Sequence, residues 1–211
     1  MPDKVRLGEI RQIIGITGGI GAGKSRVLHY IEEHYNCRII LADDVGNEVK
    51  LPGKICYNEL VELLGDDILD KEGFIQKDKM AARIFSNEEL LAKVNAIIHP
   101  AVQKYILDAI EKEKKDDKLD FFFLEAALLI ECGYGAYVDE MWYIYADEEV
   151  RRRRLRDDRH YSDEKITSIM KGQLKEEQFR KHCHVIIDNS KTIEETKKQI
   201  DKILGDKLWK M

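Results

Sequence analysis

Proline is scarce in this chain, with three residues in 211. No Pro/Gly/Ser-rich tract, repeat or low-complexity segment divides it, so nothing marks a flexible linker between separate domains. The four cysteines, Cys37, Cys56, Cys132 and Cys183, contain no C-x-x-C pair; they read as reduced thiols and not as a disulfide framework or a zinc site. No run of 18 apolar residues occurs, and no basic N-terminal end leads into a long apolar stretch. Neither a membrane span nor a signal peptide is expected, and the cytoplasm is the expected location. An excess of one charge is missing too, since 35 Lys+Arg stand against 40 Asp+Glu for a formal charge of -5. Such a balance excludes a general polyanion binder, and any phosphate site must be local. The expected partners therefore include neither nucleic acid nor a membrane, and a monomer or weak homo-oligomer is expected.

What is present is enough apolar material, 44% of the residues, to bury one substantial core. Short apolar runs alternate with longer helical patterns, the signature of βα units around a parallel sheet. The runs predict strands at Gln12–Thr17, Arg38–Ala42, Asp120–Glu125, Met141–Ala146 and His184–Asp188. Helical periodicity follows Gly23 and Lys54, covers Lys77–Phe85, Glu88–Glu113 and Glu148–Arg156, and spans Ser162–Phe179 as one stretch.

Between the first strand and the first helix lies Gly18-Gly19-Ile20-Gly21-Ala22-Gly23-Lys24-Ser25, which fits G-x-x-x-x-G-K-[ST]. In that pattern successive backbone N–H groups curl around a diphosphate. Glycine is required where φ turns positive and where a Cβ would hold the backbone off the anion. The helix that begins there adds its N-terminal partial charge. Lys24 is placed to reach the β- and γ-phosphates of a nucleoside triphosphate, and the Ser25 hydroxyl to ligate Mg²⁺. Arg26 completes the nucleotide-binding stretch.

A phosphate loop alone does not tell a switch or motor from an enzyme with an acceptor. The guanine-reading string NKxD is absent, which points away from a GTPase. Asp43 and Asp44 follow the second strand, whose end in a doubly wound sheet faces the crevice where ligands sit. Asp43 either aligns an attacking hydroxyl or caps a helix. His182-Cys183-His184 invites a metal reading but lacks further ligands at zinc spacing. The run Arg151-Arg-Arg-Arg154-Leu155-Arg156 invites a nucleic-acid reading, yet on a helix its five arginines spread around most of the circumference. Tyr134, Tyr137, Trp142 and Tyr143 read as core or pocket wall.

Taken together in order, these stretches resemble the dephospho-coenzyme A kinases. TGGIGAGKS is similar to that family's TGGIGSGKS, with Ala22 for serine. ADDVGNEVKLPGK resembles its DAD segment and the helix after it, GFIQKDKMAARIFSN its acceptor-side stretch, and NAIIHP its HP segment. FFFLEAALLIE resembles the strand and PLLFE element, Arg154-Leu155 the lid motif, and VIIDN the family's VIDN.

The resemblance implies a P-loop kinase fold: a five-stranded parallel sheet flanked by helices, with a helical acceptor-binding insertion and a lid. On that reading the core covers about 11–43, 119–150 and 183–205, the insertion about 44–118 and the lid about 151–182. The implied activity is transfer of the γ-phosphoryl group of ATP, with Mg²⁺, to the ribose 3′-hydroxyl of dephospho-coenzyme A. Asp43, Lys24 and Arg154 take the catalytic positions. Asp43, Lys77, His99, Glu125 and Leu128 take acceptor-side positions, and Ser25 and Glu125 take the metal positions. His99 either contacts the acceptor or merely ends one helix before Pro100, and Asn189 either reads the adenine edge or shapes a turn. The chain departs from the family pattern at Leu41 (aspartate), Lys77 (arginine), Glu125 (aspartate), Ala127 (proline) and Asp158, which stands where a second lid arginine is expected. Arg159 is its nearest substitute. The competing readings are a kinase for another nucleotide or nucleoside, and an ATP-hydrolysing regulatory protein.

Overall fold

Five runs rich in β-branched and aromatic residues form the sheet: β1 (Gln12–Thr17), β2 (Cys37–Leu41), β3 (Phe121–Glu125), β4 (Glu140–Tyr145) and β5 (Val185–Asp188). They are seen in a computed structural model whose described residues are 10, 12–85, 87–116 and 118–209. Residues 1–9, the stretch read for a signal peptide, lie outside these. The strand order is β2-β3-β1-β4-β5, and β1 pairs in parallel with both β3 and β4, as β4 does with β5. Parallel strands need crossover connections, which the helices supply. These are α1 (Lys24–His34), α2 (Ala42–Glu48), α3 (Tyr57–Leu64), α4 (Lys77–Ile84), α5 (Glu88–Asp116), α6 (Glu148–Arg159), α7 (Asp163–Lys171), α8 (Glu176–His182) and α9 (Ile193–Trp209).

The chain divides into two units. One runs to Ile39 and resumes at Glu113, and the other is Ile40–Lys112. In the first unit both faces of the central strands are covered, as a parallel sheet demands: Phe121, Phe122, Phe123 and Leu124 are all fully buried. Phe121, Phe123, Trp142 and Ile144 on one face join Val27, Leu28 and Ile31 of α1 and Ile200 and Leu204 of α9 in one apolar cluster. Truncating a large side chain in such a core to alanine costs about 3–5 kcal/mol, so this cluster anchors the edge of the sheet that carries the site. Tyr134, Trp142 and Tyr143 are buried, in keeping with their reading as core. On the other face Tyr143 stacks on Phe179 of α8 at 4.6 Å between ring centroids.

In the second unit the helices are amphipathic. α3 buries Leu60 and Leu64, α4 buries Met80, and α5 buries Val94, Val102, Ile106, Ala109 and Ile110. Among the described residues no helix is long and apolar enough to cross a membrane.

Three local expectations are corrected. The stretch Ser162–Phe179 is two helices, α7 and α8, because Gly172 ends the first and Gln173–Lys175 run as a loop. The chain passes straight from β2 into α2 with Leu41 as the N-cap residue, so Asp43 and Asp44 lie in the first turn and neither caps the helix. His99 does not end a helix, since α5 continues through Pro100 for 29 residues in all.

Candidate active site

The loop after β1 turns on its glycines. Gly21 and Gly23 hold φ of 77° and 88°, a left-handed conformation that side-chain-bearing residues adopt only with strain. Gly23 is the N-cap of α1; it offers no side-chain cap, and the first turn carries no acidic residue. The head of the helix is thus left to an anion, with no carboxylate to compete for its amides. Lys24 folds back along the loop, where its ammonium donates to the Gly18 carbonyl at 2.9 Å and pairs with Glu125 at 3.5 Å. Glu125 ends β3, buried, opposite Ile16 in the β1 register. Ser25 and Arg26 follow on the exposed side of the first turn.

Helix α6 carries the arginine run against the outside of this loop. Arg154 donates from Nη1 to the carbonyls of Gly21 at 3.4 Å and Ala22 at 3.3 Å, and from Nη2 to the Asn189 carbonyl at 2.7 Å. Arg151 donates from Nε to the Ile20 carbonyl at 2.8 Å. Both are half-buried, and burial pulls both guanidinium groups below their usual range; for Arg154 the charges of Arg26 and Arg153 act in the same direction. Arg152 points elsewhere, to Glu148 at 2.8 Å and Thr167 at 3.0 Å, and Arg156 pairs with Asp163 at 3.3 Å. Of the five arginines in the run, 151, 152, 154 and 156 are therefore engaged within the fold. The run is thus not a row of five free charges.

Asn189 stands one residue past β5 and is buried. Its Nδ2 donates to the Ala22 carbonyl at 2.7 Å, and its Oδ1 accepts from the Thr196 hydroxyl at 2.9 Å. Both ends of the carboxamide are thus engaged, one by the loop and one by α9. Leu128, in the turn after β3, is 53% exposed. An apolar side chain left that open is available to a ligand surface.

The second unit carries the remaining residues expected on the acceptor side. Asp43 lies exposed in the first turn of α2, two residues beyond β2. Lys77 opens α4, and His99 is exposed midway along α5. Sequence reasoning missed Lys50. Its ammonium donates to Asn47 Oδ1 at 3.2 Å, and its pKa is lowered by burial first and then by Lys77, with Cys56 and Asp43 opposing. Asp43, Lys50 and Lys77 therefore share one electrostatic neighbourhood.

Among the described residues no three His, Cys, Asp or Glu gather to hold a metal by themselves. Mg²⁺ needs no such cage; it is ordinarily held by one or two protein oxygens and by substrate phosphates. The Ser25 hydroxyl at the head of α1 and the Glu125 carboxylate beside Lys24 supply hard oxygen donors of that kind, so the residues present fit the ion.

A parallel sheet with a lysine-tipped glycine loop between its central strand and first helix, and an arginine-bearing helix bonded to that loop, defines a P-loop kinase. The comparisons narrow the class. The family model for dephospho-CoA kinase matches residues 12–195. A dephospho-CoA kinase from Carboxydothermus hydrogenoformans is 36% identical over 198 residues, 94% of this chain and 95% of that one. Another, from Aquifex aeolicus, is 38% identical over 190 residues, covering 90% and 94%. A crystal structure from Thermus thermophilus superposes with a TM-score of 0.78 at 25% identity, covering 92% of this chain and 96% of that one. The chain belongs to the dephospho-CoA kinase family.

Proposed function

We propose that the chain transfers the γ-phosphoryl group of ATP to the ribose 3′-hydroxyl of dephospho-coenzyme A, giving coenzyme A and ADP, the last step of coenzyme A synthesis. The observation that carries this is the loop itself: Lys24 leads an uncapped α1, inside a chain that the family model matches from 12 to 195. Phosphoryl transfer asks little covalent chemistry of a protein, and its catalysis is mainly positioning and charge neutralisation. The loop amides and Lys24 hold the β- and γ-phosphates while Arg154 adds positive charge beside them. The acceptor oxygen forms its bond to the γ-phosphorus as the bond to the β,γ-bridging oxygen breaks and ADP leaves. Asp43 accepts a hydrogen bond from the attacking hydroxyl and takes its proton late. When bound, Mg²⁺ neutralises charge on the phosphate oxygens, with Ser25 and Glu125 as the residues that would hold it. Lys77, Lys50, His99 and Leu128 are the acceptor-side residues of the same reading. A monomeric or weakly associating state and a cytoplasmic location belong to it as well; four free cysteines fit a reducing compartment.

An acceptor screen with labelled ATP tests the activity. Dephospho-coenzyme A should be phosphorylated far faster than AMP, CMP or adenosine, and a preference for any of these three would sink the assignment. The role of Asp43 has its own test. Asp43→Asn should lower kcat by about 10²-fold, within the usual range for a positioned general base. ATP affinity by titration calorimetry should stay within a few-fold of wild type, because the carboxylate serves the acceptor and not the donor. Turnover near wild type would shift the role to Asp44 or another acid.

A further inference from the structure

Ile20 lies between Gly19 and Gly21, in the most freely jointed part of the loop, and both of its backbone polar groups are held from outside. Its N–H donates to Gln173 Oε1 at 3.1 Å, and its carbonyl accepts from Arg151 Nε at 2.8 Å. Arg151 Nη2 donates in turn to the same Gln173 Oε1 at 2.9 Å. The three bonds close a ring through one peptide segment and two side chains, each drawn from a different part of the chain. Arg151 has no carboxylate within ion-pair distance among the described residues. A charged fork kept half-buried outside any ion pair is costly unless its donors are well used, and here its two bonds go to the Ile20 carbonyl and to Gln173 Oε1. The packing agrees: a Cβ on Gly19 would meet the Arg151 guanidinium at 2.5 Å, and one on Gly21 would meet the Arg151 carbonyl oxygen at 2.9 Å. Gly21 is thus demanded by the backbone of the helix lying on the loop, while a side chain at Gly19 would displace the Arg151 guanidinium from its place.

We propose that Arg151 and Gln173 are positioning residues for ATP binding: a two-residue clasp that fixes the Ile20 peptide and sets the phosphate loop in its binding geometry before the nucleotide arrives. The clasp acts through the loop backbone and not on the transferring phosphoryl group. A glycine-flanked segment left loose must be ordered at the moment of binding, and that ordering opposes affinity. Removing the clasp therefore weakens the donor complex while leaving the chemical step intact. The break in helix at Gln173–Lys175 follows from the same arrangement, because it frees Gln173 to reach the loop.

The inference rests on reading the loop as the ATP site, and the two are separable by measuring ATP binding directly. Wild-type protein that binds no ATP by calorimetry would overturn that reading and the clasp with it. With wild-type binding established, Arg151→Ala and Gln173→Ala should each weaken ATP binding and raise KM for ATP about tenfold, the effect of losing a hydrogen bond to a charged group. kcat at saturating ATP and KM for dephospho-coenzyme A should stay within about threefold. The double variant should fall little further than either single, because the two side chains share one ring. Arg151→Lys should not restore affinity, since one ammonium cannot reproduce the fork. ATP affinity unchanged in both singles overturns the clasp, as do additive losses in the double variant. A fall in kcat with KM unchanged also overturns it, by placing Arg151 on the reacting phosphoryl. Full rescue by lysine overturns it too, by showing that charge alone matters. A variant that melts early yet binds ATP normally counts against the proposal in the same way.

Discussion

Lys24→Ala should lower kcat about 10³-fold, the upper part of the range for removing one preorganised charge from a developing anion. The argument is geometric. The Lys24 ammonium is held on the Gly18 carbonyl at 2.9 Å and beside Glu125 at 3.5 Å, with only 15% of its side chain exposed. It is thus confined at the mouth of the loop before any ligand arrives, and little reorganisation is needed when charge develops there. Truncation removes the cation and also leaves the Glu125 carboxylate without this countercharge, facing the place where phosphates must sit. Both changes act against the same anion. ADP affinity by calorimetry should fall as well, because the loss is felt in the ground state. Steady-state turnover within tenfold of wild type would show that Lys24 pairs with Glu125 structurally and that another cation does its work.

The sheet was legible because its strands are buried on both faces and bounded by turn residues. Phe121-Phe122-Phe123-Leu124 is a continuous apolar run that only a doubly covered strand tolerates, and each predicted strand end lies within one residue of the observed one. The helices were less so where tertiary contacts decide. Ser162–Phe179 reads as one periodic stretch until Gln173 is seen to leave the helix for the Ile20 amide, a contact 153 residues away in sequence. Pro100 reads as a helix end, yet α5 absorbs it. A proline removes one donor and one turn of regular bonding, and the buried stripe from Val94 to Ile110 continues on both sides of it.

The phosphate loop could be read from spacing alone, because glycine, lysine and hydroxyl each answer a separate demand of the anion. Its supports could not. Asn189 could be placed after the last strand, but whether its amide meets a base or the loop depends on Thr196 in α9. Arg151 was hidden in a run of like residues. The signal that finds it is its spacing of three from Arg154, which puts both on one face of α6 while Arg152 falls on another. Lys50 had no signal beyond its charge, since its neighbourhood with Asp43 and Lys77 joins α2, the turn after it and α4.

Arg154→Ala should lower turnover on the order of 10³-fold, as for other arginines that stabilise a transferring phosphoryl group. The opposing view is that a residue in an arginine-rich helix is a solvated charge whose loss costs little. The observed bonds decide against that view: a guanidinium solvated on a helix face would not reach the carbonyls of Gly21, Ala22 and Asn189 together. These bonds tie the end of β5 to the loop and keep a cation beside it, and Asp158, at the other expected lid position, brings no second one. Arg154→Lys should recover only a small part of the loss, because an ammonium retains the charge but not the planar fork that spans two backbone segments. Arg152→Ala, whose partners are Glu148 and Thr167, should stay within about threefold of wild type, as exposed ion pairs usually contribute little. Arg159, exposed at the end of α6, should behave like Arg152. Equal and small effects at 152, 154 and 159 in steady-state kinetics would show that the charge beside the transferring group comes from elsewhere.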